Sequence, residues 1–338
     1  MTARIAVLQG DGIGPEVTEA ALAVLSACLP CTFEHGLIGG AAIDATGEAL
    51  PAATLDLARS ADATFLGAVG GPQWEGGTVR PEQGLLGLRR GLGVYANLRP
   101  ARYLGLPTPL RPELAEQGDL LVVRELLGGV YFGEPRGLGE KEAFNTWRQT
   151  ADEVRAVARI AFALARKRRR KVSSVDKANV LESSRLWRRT VTEVAAEFPD
   201  VILEHLYVDA ASFEILRAPG RFDVLLTENL FGDILSDEAA ALAGSIGLLA
   251  SASIGEGPGL FEPVHGSAPD LAGRGIANPT GALLTVALLL EHGLKRPDLA
   301  AEVERAVVAT LGEVRTPDLG GSATTSEVTR AVLRRLER

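Results

Sequence analysis

The chain has 338 residues, of which 46% are hydrophobic, which is enough for one large or two medium domains with an ample core. Its formal net charge of −8 argues against a nucleic-acid partner. No apolar run is long enough to span a bilayer and no leader-like segment opens the sequence. We therefore expect a cytoplasmic protein with no membrane partner.

The chain opens with a strand, a glycine turn and a helix. Residues 5–8 predict the strand, 10–15 the turn, and 16–28 an amphipathic helix. This order is typical of phosphate-binding loops, but the glycines stand at positions 10, 12 and 14 and do not match the Gly-x-Gly-x-x-Gly pattern of a Rossmann fold. We therefore expect a tight turn with Pro15 in the first helical turn, outside a Rossmann fold.

The two cysteines, Cys28 and Cys31, fall between the first helix and the next predicted strand. A redox pair is conceivable, and His35 could add a third metal ligand. A closed zinc site needs four ligands, however, and no other histidine has suitable spacing. A local packing role is the favoured interpretation.

Three arginines stand at the ends of predicted elements: Arg89, Arg99 and Arg124. Each alone could be a surface charge. Together they predict a clamp for a small polyanion, because a guanidinium group binds a carboxylate in a bidentate way. Leu85 and Leu86 would add an apolar wall beside Arg89, although leucines on a helix are commonly just core.

Further polar residues follow predicted strands or glycine-rich turns. Tyr131 lies in the glycine-rich segment 128–133 and is either a packing residue or a proton donor. Lys177 follows the predicted strand 172–175 and is a candidate base, and Asp209 follows the strand 201–206. A long helix is predicted over 150–171, with its basic end at 167–171 favoured by the helix dipole.

Asp233 and Asp237 lie four residues apart, on one face of a helix predicted over 234–244 and its preceding turn. Two like charges so placed repel each other unless a cation lies between them, and oxygen ligands suit Mg²⁺ or Mn²⁺. A solvated acidic face near a helix N-terminus is the alternative. The apolar flanks predict that both acids are buried, which favours the metal. Ligands bind open α/β sheets at such strand ends.

The segments 262–270 and 275–279 read as a loop rich in turn residues. Its backbone amides, and a carboxylate such as that of Asp270 that could accept hydrogen bonds from a ribose, would suit a nucleotide.

These motifs together resemble the β-decarboxylating dehydrogenases, the family of 3-isopropylmalate, isocitrate, homoisocitrate and tartrate dehydrogenases. The resemblance rests on residues 10–16 (GDGIGPE), 124–125 (RE), 131–133 (YFG), 176–179 (DKAN), 229–237 (NLFGDILSD) and 265–270 (HGSAPD). It is closest to the isopropylmalate branch, because residues 82–86 (EQGLL) resemble that branch's substrate-side segment, which is more polar in isocitrate enzymes and carries an extra arginine in homoisocitrate enzymes. Gln149 departs from the tyrosine that many relatives carry.

The resemblance implies a two-lobed α/β fold with parallel and mixed sheets flanked by helices. Residues 1–100 plus 252–338 would form the cofactor-side lobe, and 101–251 the dimerisation and metal/substrate lobe. It implies oxidative decarboxylation of 3-isopropylmalate with NAD⁺ and Mg²⁺ or Mn²⁺ in leucine biosynthesis, by a homodimer with shared active sites. Homoisocitrate, isocitrate, tartrate and D-malate are alternative substrates. A metabolite-binding module or a structural oligomerisation protein are alternatives outside the enzymes.

The resemblance also assigns roles residue by residue. The implied catalytic residues are Tyr131 and Lys177. The implied metal ligands are Asp209, Asp233 and Asp237, with Asp209 and Lys177 supplied by the partner subunit. The implied substrate residues are Arg89, Arg99, Arg124, Leu85, Leu86 and Asp209. The implied cofactor residues are Ile13, Glu82, His265, Gly266, Ser267, Ala268, Pro269, Asp270 and Asn278. Asp270 favours NAD⁺, because a carboxylate would repel the 2′-phosphate of NADP⁺.

Overall fold

The computed structural model describes residues 2–337. They form a mixed α/β fold in which most paired strands are parallel, as predicted. The chain divides into unit 1 (Met1–Val94, Leu104–Pro107 and Gly244–Arg338) and unit 2 (Tyr95–Tyr103 and Thr108–Ala243). The predicted roles of the two lobes in cofactor binding and dimerisation stay predictions. No helix within residues 2–337 is long and apolar enough to cross a membrane.

The strands are β1 (Ala3–Gly10), β2 (Cys31–His35), β3 (Ala63–Ala68), β4 (Val94–Arg102), β5 (Asp119–Glu125), β6 (Gly137–Leu138), β7 (Ala143–Phe144), β8 (Lys171–Asp176), β9 (Ile202–Tyr207), β10 (Val224–Thr227), β11 (Ala250–Gly255) and β12 (Gly259–Pro263). The helices are α1 (Gly14–Cys28), α2 (Gly39–Thr46), α3 (Ala52–Ser60), α4 (Pro81–Leu92), α5 (Pro112–Ala115), α6 (Ala151–Arg166), α7 (Glu182–Ala195), α8 (Val208–Arg217), α9 (Asn229–Ala243), α10 (Thr280–Leu288), α11 (Pro297–Leu311) and α12 (Thr325–Leu336).

In unit 1 the strands lie in the order β2-β1-β3-β12-β11. The first four run parallel and β11 is antiparallel to β12. Every residue of β3 is buried, as expected for a parallel strand covered on both faces. Pro15 lies in the first turn of α1, which confirms the prediction. The turn between β1 and α1 is held to the end of the buried strand β3, where Asp11 N donates to Ala68 O at 2.8 Å.

In unit 2 five strands lie in the order β4-β5-β10-β8-β9, in which β4 and β5 are antiparallel, and β6 and β7 form a separate antiparallel pair. A core cluster fills the space beside β5 and β10, with Phe222 and Leu225 fully buried in it. Leu235 and Ala239 of α9 belong to the same cluster. Because these two side chains anchor one face of α9, the carboxylates that project from its other face are held in position.

Two helix boundaries differ from the sequence predictions. Helix α9 begins at Asn229, so Asp233 lies inside the helix. Helix α6 ends at Arg166, and the basic run leaves the helix and enters β8 at Lys171. Arg168 pairs there with Asp119 at 2.9 Å and with Asp223 at 2.8 Å. The helix therefore ends five residues earlier than predicted, and the basic run follows its C-terminus, where Arg168 N donates to Ala165 O and acidic side chains of unit 2 pair with the arginines.

Candidate active site

Asp233 is the centre of a charged cluster in unit 2. Its Oδ1 pairs closely with Arg124 Nη1 and lies 3.5 Å from Arg99 Nη2, and its Oδ2 accepts a hydrogen bond of 2.8 Å from the Tyr131 hydroxyl. Arg99 Nη1 also lies 3.3 Å from Asp237 Oδ1. The fold thus brings five predicted site residues together from β4, β5, α9 and the segment after β5.

The two acids of α9 are not buried as the sequence predicted. The Asp233 side chain is 36% exposed and that of Asp237 is 51% exposed. The apolar flanks that suggested burial cover only the opposite face of the helix. Partial burial nevertheless raises the pKa of Asp237, with the charge of Asp233 adding to the rise and Arg99 opposing it. The two carboxylates are therefore partly exposed to solvent, and the charge of Asp233 repels that of Asp237.

Each arginine of this cluster donates a hydrogen bond through its Nε edge to an asparagine side chain whose role the sequence did not predict. Arg99 Nε donates to Asn97 Oδ1 at 2.7 Å. Arg124 donates to Asn229 Oδ1 through Nε at 3.0 Å and through Nη2 at 2.7 Å. Asn97 and Asn229 are fully buried. The signal that could have found Asn97 is its position on the same strand face as Arg99, two residues away.

Tyr131 is half-buried and stays protonated at neutral pH. Burial raises its pKa to about 12, and the hydrogen bond and charge of Asp233 add to the rise. Arg124 lies over its ring, with the guanidinium carbon 5.6 Å from the ring centre. Of the two readings the sequence left open, this geometry favours the proton donor.

Lys177 and Asp209 form a separate pair in unit 2. Lys177 Nζ lies 2.5 Å from Asp209 Oδ1, and this hydrogen bond lowers the pKa of Asp209. Within residues 2–337 no three His, Cys, Asp or Glu side chains gather as metal ligands. The expectation that Asp209 and Lys177 serve a neighbouring subunit stays a prediction.

Two buried glutamates flank the cluster in sequence and space. Glu125 Oε1 accepts from Leu127 N at 2.6 Å, and Glu228 Oε1 accepts from Phe231 N at 2.6 Å. Burial raises the pKa of both to about 7. Glu228 thereby caps the first turn of α9, which positions the helix that carries Asp233.

The predicted cofactor residues of unit 1 are joined largely through the backbone. Ile13 N donates to Ser267 O at 2.8 Å. Gly12, with a φ of +58°, packs so closely that a Cβ there would lie 2.0 Å from Ser267 O. The carboxylate of Asp11 accepts from the backbone N–H of Gly40, Ala41 and Gly70, at 2.9, 2.8 and 2.8 Å. The glycine turn after β1 and the loop after β12 are therefore hydrogen-bonded and closely packed against each other.

His265 and Asn278 complete this region. His265 is buried, which lowers its pKa, and its Nε2 has no hydrogen-bond partner within the described residues. Asn278 donates to Asp318 Oδ2 at 2.9 Å and accepts from Thr280 N at 3.0 Å. Gly266 and Asp270 are exposed, Pro269 lies between Ala268 and Asp270 in a short 3₁₀ turn, and Ala268 has a left-handed φ of +39°.

Helix α4 carries the remaining predicted residues. Glu82 is exposed, and Leu85 and Leu86 are half-buried. Arg89 Nη2 pairs with Glu262 Oε1 of β12 at 2.6 Å, both side chains being buried. Arg89 Nε has no hydrogen-bond partner among residues 2–337. Glu262 is a partner that sequence reasoning missed, since 173 residues separate the two.

The donor sets suit the implied ligands. Two partly exposed carboxylates one helical turn apart are hard oxygen donors of the kind Mg²⁺ and Mn²⁺ prefer, with substrate and water completing the shell. In unit 1 the Nε2 atom of buried His265 has no hydrogen-bond partner among the described residues, and a hydrogen bond to a bound ligand would satisfy it. A Cβ at Gly266 or Gly275 would meet no atom within 4 Å, so the loop leaves open space beside it.

Two other features carry none of the predicted site residues. An open cavity of about 980 Å³ is lined by residues 312–315, 321–323, 327, 330 and 334. Cys28 and Cys31 are free thiols, and burial raises the pKa of Cys28 to about 11. A high pKa disfavours the reactive thiolate, which agrees with a packing role.

Comparison with known proteins defines the class. The family model described as isocitrate/isopropylmalate dehydrogenase matches residues 4–332. The chain therefore belongs to the isocitrate/isopropylmalate dehydrogenase family. It is 53% identical to the 3-isopropylmalate dehydrogenase of Anaeromyxobacter dehalogenans, over 99% of this chain and 100% of that protein. It is 55% identical to the 3-isopropylmalate dehydrogenase of Thermosynechococcus vestitus, over 94% and 93% of the two chains.

Solved structures agree in fold. The isocitrate dehydrogenase of Methylococcus capsulatus is 39% identical and superposes with a TM-score of 0.92, covering 100% of both chains. The β-decarboxylating dehydrogenase of Thermococcus kodakarensis is 38% identical with a TM-score of 0.85, covering 99% and 96%. The predicted fold class is therefore confirmed, and these structures include a relative named for a different substrate.

Proposed function

We infer that this chain is an NAD⁺-dependent 3-isopropylmalate dehydrogenase that carries out the oxidative decarboxylation step of leucine biosynthesis. The observation that carries the inference is the cluster of two guanidiniums, a protonated tyrosine and two carboxylates around Asp233. It places groups that bind carboxylates beside a proton donor, as an oxidised malate requires. Relatives bearing that name share 48–55% of the sequence over nearly its whole length, above the 39% of the isocitrate relative.

Each residue has a proposed role in this reaction. Arg99 and Arg124 bind the substrate carboxylates, with Arg89 as a further carboxylate ligand and Leu85 and Leu86 contacting the isopropyl group. Lys177 accepts the proton of the substrate hydroxyl. Tyr131, protonated at neutral pH, donates a proton to carbon after CO₂ leaves.

We propose Asp233 and Asp237, with Asp209 of a neighbouring subunit, as ligands of Mg²⁺ or Mn²⁺. The proposed NAD⁺ residues are Ile13, Glu82, His265, Gly266, Ser267, Ala268, Pro269, Asp270 and Asn278. When bound, the ion supplies a Lewis acid for the substrate hydroxyl and NAD⁺ supplies the hydride acceptor. The open loop beside Gly266 and the unpartnered His265 Nε2 support the cofactor assignment.

We further propose a homodimer with shared active sites, in the cytoplasm. Unit 2 exposes large apolar side chains that a partner could cover, among them Leu138 (87% exposed), Phe213 (63%) and Ile234 (58%). Ile234 follows Asp233 directly, so a subunit covering it would approach the α9 acids. Lys177 and Asp209 would complete the partner's site.

NADH absorbance tests the proposal. The purified chain is mixed with Mn²⁺, NAD⁺ and, in turn, 3-isopropylmalate, isocitrate, homoisocitrate or D-malate. We expect a clear preference in kcat/KM for 3-isopropylmalate. A preference for isocitrate would replace the substrate and keep the family chemistry, whereas no NADH from any of the four would favour a non-catalytic binding module.

Replacing an apolar residue of α4 tests the substrate directly. Leu86→Ser should raise the KM for 3-isopropylmalate, because one lost apolar contact costs about 1–3 kcal/mol, or roughly 5- to 150-fold. The KM for D-malate, which lacks the isopropyl group, should change less. Equal changes for both substrates would remove Leu86 from the isopropyl contact.

A further inference from the structure

We propose that Asn97 and Asn229 position the two substrate arginines of unit 2 and keep their positive charge available, so that both asparagines set affinity for a dicarboxylate substrate. This inference rests on the proposed function, because it takes Arg99 and Arg124 as carboxylate ligands. Under this proposal the two amide side chains matter for binding through their lack of charge as well as through their hydrogen bonds.

Asn229 holds Arg124 along one edge. Its Oδ1 accepts from both Nε and Nη2 of the guanidinium, so Nη1 is directed to Asp233. Its Nδ2 lies 3.5 Å from Gly128 O, in the segment that leads to Tyr131. Asn229 is 1% exposed and Arg124 is 1% exposed. A buried guanidinium held on two nitrogens has little freedom to turn.

Asn97 repeats the arrangement on the neighbouring strand. Its Oδ1 accepts from Arg99 Nε at 2.7 Å, while Arg99 Nη1 donates to Ser236 Oγ at 2.7 Å and reaches Asp237. Asn97 pairs across the strands with Arg124, since their Cα atoms are partners in the β4–β5 ladder. Each arginine therefore has a buried amide on its Nε edge and a carboxylate of α9 on its other edge.

The charge balance of the cluster gives a reason for a neutral amide, and not a carboxylate, as the hydrogen-bond acceptor of each guanidinium. Two guanidiniums are offset by the carboxylates of Asp233 and Asp237, so these four side chains sum to zero. A divalent ion held by the two acids would make this group of four side chains and one ion net positive, which favours a substrate that carries carboxylates. An aspartate at 97 or 229 would satisfy the same guanidinium nitrogens and yet add a buried negative charge facing the substrate.

Paired substitutions separate orientation from charge. Asn229→Asp and Asn97→Asp are nearly isosteric and keep the acceptor, whereas Asn229→Ser and Asn97→Ser shorten the side chain without adding charge. Asn145→Asp, at an exposed position of unit 2, is the matched charge control. The readouts are the KM of substrate and of NAD⁺, the Kd of substrate for the Mn²⁺-loaded protein by calorimetry, and the Tm.

The proposal expects the two aspartate variants to raise substrate KM and Kd by at least about tenfold, and by more than the serine variants, with Tm and the KM of NAD⁺ near wild type. The serine variants should also weaken substrate binding, because the guanidiniums lose their orientation. A purely structural role predicts the reverse order, since aspartate pairs with arginine more strongly than serine does. That order, or unchanged substrate affinity in the serine variants, would overturn the proposal.

The wild-type panel keeps this test distinct from the proposed function. If the wild type prefers another malate, the function is corrected and the variants are compared on that substrate. If the wild type turns over none but binds a malate, the Kd ratios alone decide. If an aspartate variant does not fold, the serine variant decides, and wild-type affinity there rejects the assignment. A wild type that binds no dicarboxylate rejects both.

Discussion

The predicted cofactor region of unit 1 and the charged cluster of unit 2 are built from different parts of the chain. In unit 1 the segments are connected mainly by hydrogen bonds of backbone groups. Ile13 N donates to Ser267 O, and the Asp11 carboxylate accepts from three backbone N–H groups. In unit 2 side chains meet side chains around Asp233. A backbone-built loop fixes a shape that tolerates many side chains, whereas a side-chain cluster depends on each charge.

The arginines show the same difference at the scale of one residue. In unit 1 Arg89 is paired with a buried carboxylate, that of Glu262. In unit 2 Arg99 and Arg124 have neutral amides on their Nε edges and meet partly exposed carboxylates on the other. A buried carboxylate both orients and neutralises a guanidinium, while an amide only orients it. In unit 2 the amides therefore leave the charge balance of the cluster to its partly exposed carboxylates.

The largest expected effect lies in the unit 2 cluster. Tyr131→Phe removes the hydroxyl that donates to Asp233 and should lower kcat by about 10²- to 10⁴-fold, the usual worth of general acid catalysis. The KM of NAD⁺ should hardly change. Steady-state kinetics with the preferred malate measures both. Tyr103→Phe, half-buried in the same unit, is the control, and equal losses in the two variants would deny Tyr131 a chemical role.

The second prediction concerns the buried pair of unit 1. Glu262→Ala leaves the Arg89 charge buried without its partner and should lower the free energy of unfolding by about 3–5 kcal/mol. Urea denaturation measures this. Glu34→Ala breaks the half-exposed Arg4–Glu34 pair and should cost at most about 1 kcal/mol. A similar small cost for both would mean that Glu262 does not neutralise Arg89.

A smaller effect is expected at the backbone-built turn. Asp11→Ala deprives the N–H groups of Gly40, Ala41 and Gly70 of their acceptor, so we expect a loss of at least about 1–3 kcal/mol in unfolding free energy. The KM of NAD⁺ should rise while kcat changes less. Asp56→Ala, at an exposed position of α3, is the control. An unchanged KM for NAD⁺ would separate this turn from cofactor binding.

The smallest effect is a slope in pH. Glu125 has a folded pKa of about 7 against 4.5 for the free side chain, because burial disfavours its charge. Between these values the folded chain keeps a proton that the unfolded chain has lost, so unfolding free energy falls as pH rises, by at most about 1.4 kcal/mol per unit. Glu125→Gln should make the curve less steep between pH 5 and 7, and Glu228, whose pKa is also about 7, should keep the remaining slope. An unchanged slope would place the titration elsewhere.

Much of the fold and the family could be read from local sequence. Apolar runs predicted the strands at 5–8, 172–175 and 201–206, which correspond to β1, β8 and β9. The predicted start of α1 lay two residues late and that of α9 five residues late. These features depend on neighbours in the chain, where backbone geometry and side-chain periodicity act directly. The exposure of Asp233 and Asp237 could not be read in this way, because apolar flanks do not reveal which helix face they cover.

The sequence by itself determined several of the elements, the order of the motifs and the resemblance to the family to which the chain belongs. Only the tertiary structure decided the partners: Glu262 for Arg89, Asn97 for Arg99, Asn229 for Arg124, and Asp119 and Asp223 for the basic run after α6. Most of these partners come from distant parts of the chain. Local pattern specifies which groups are available, but hydrogen bonds and ion pairs form only between groups that the packed core has brought within about 3 Å of each other.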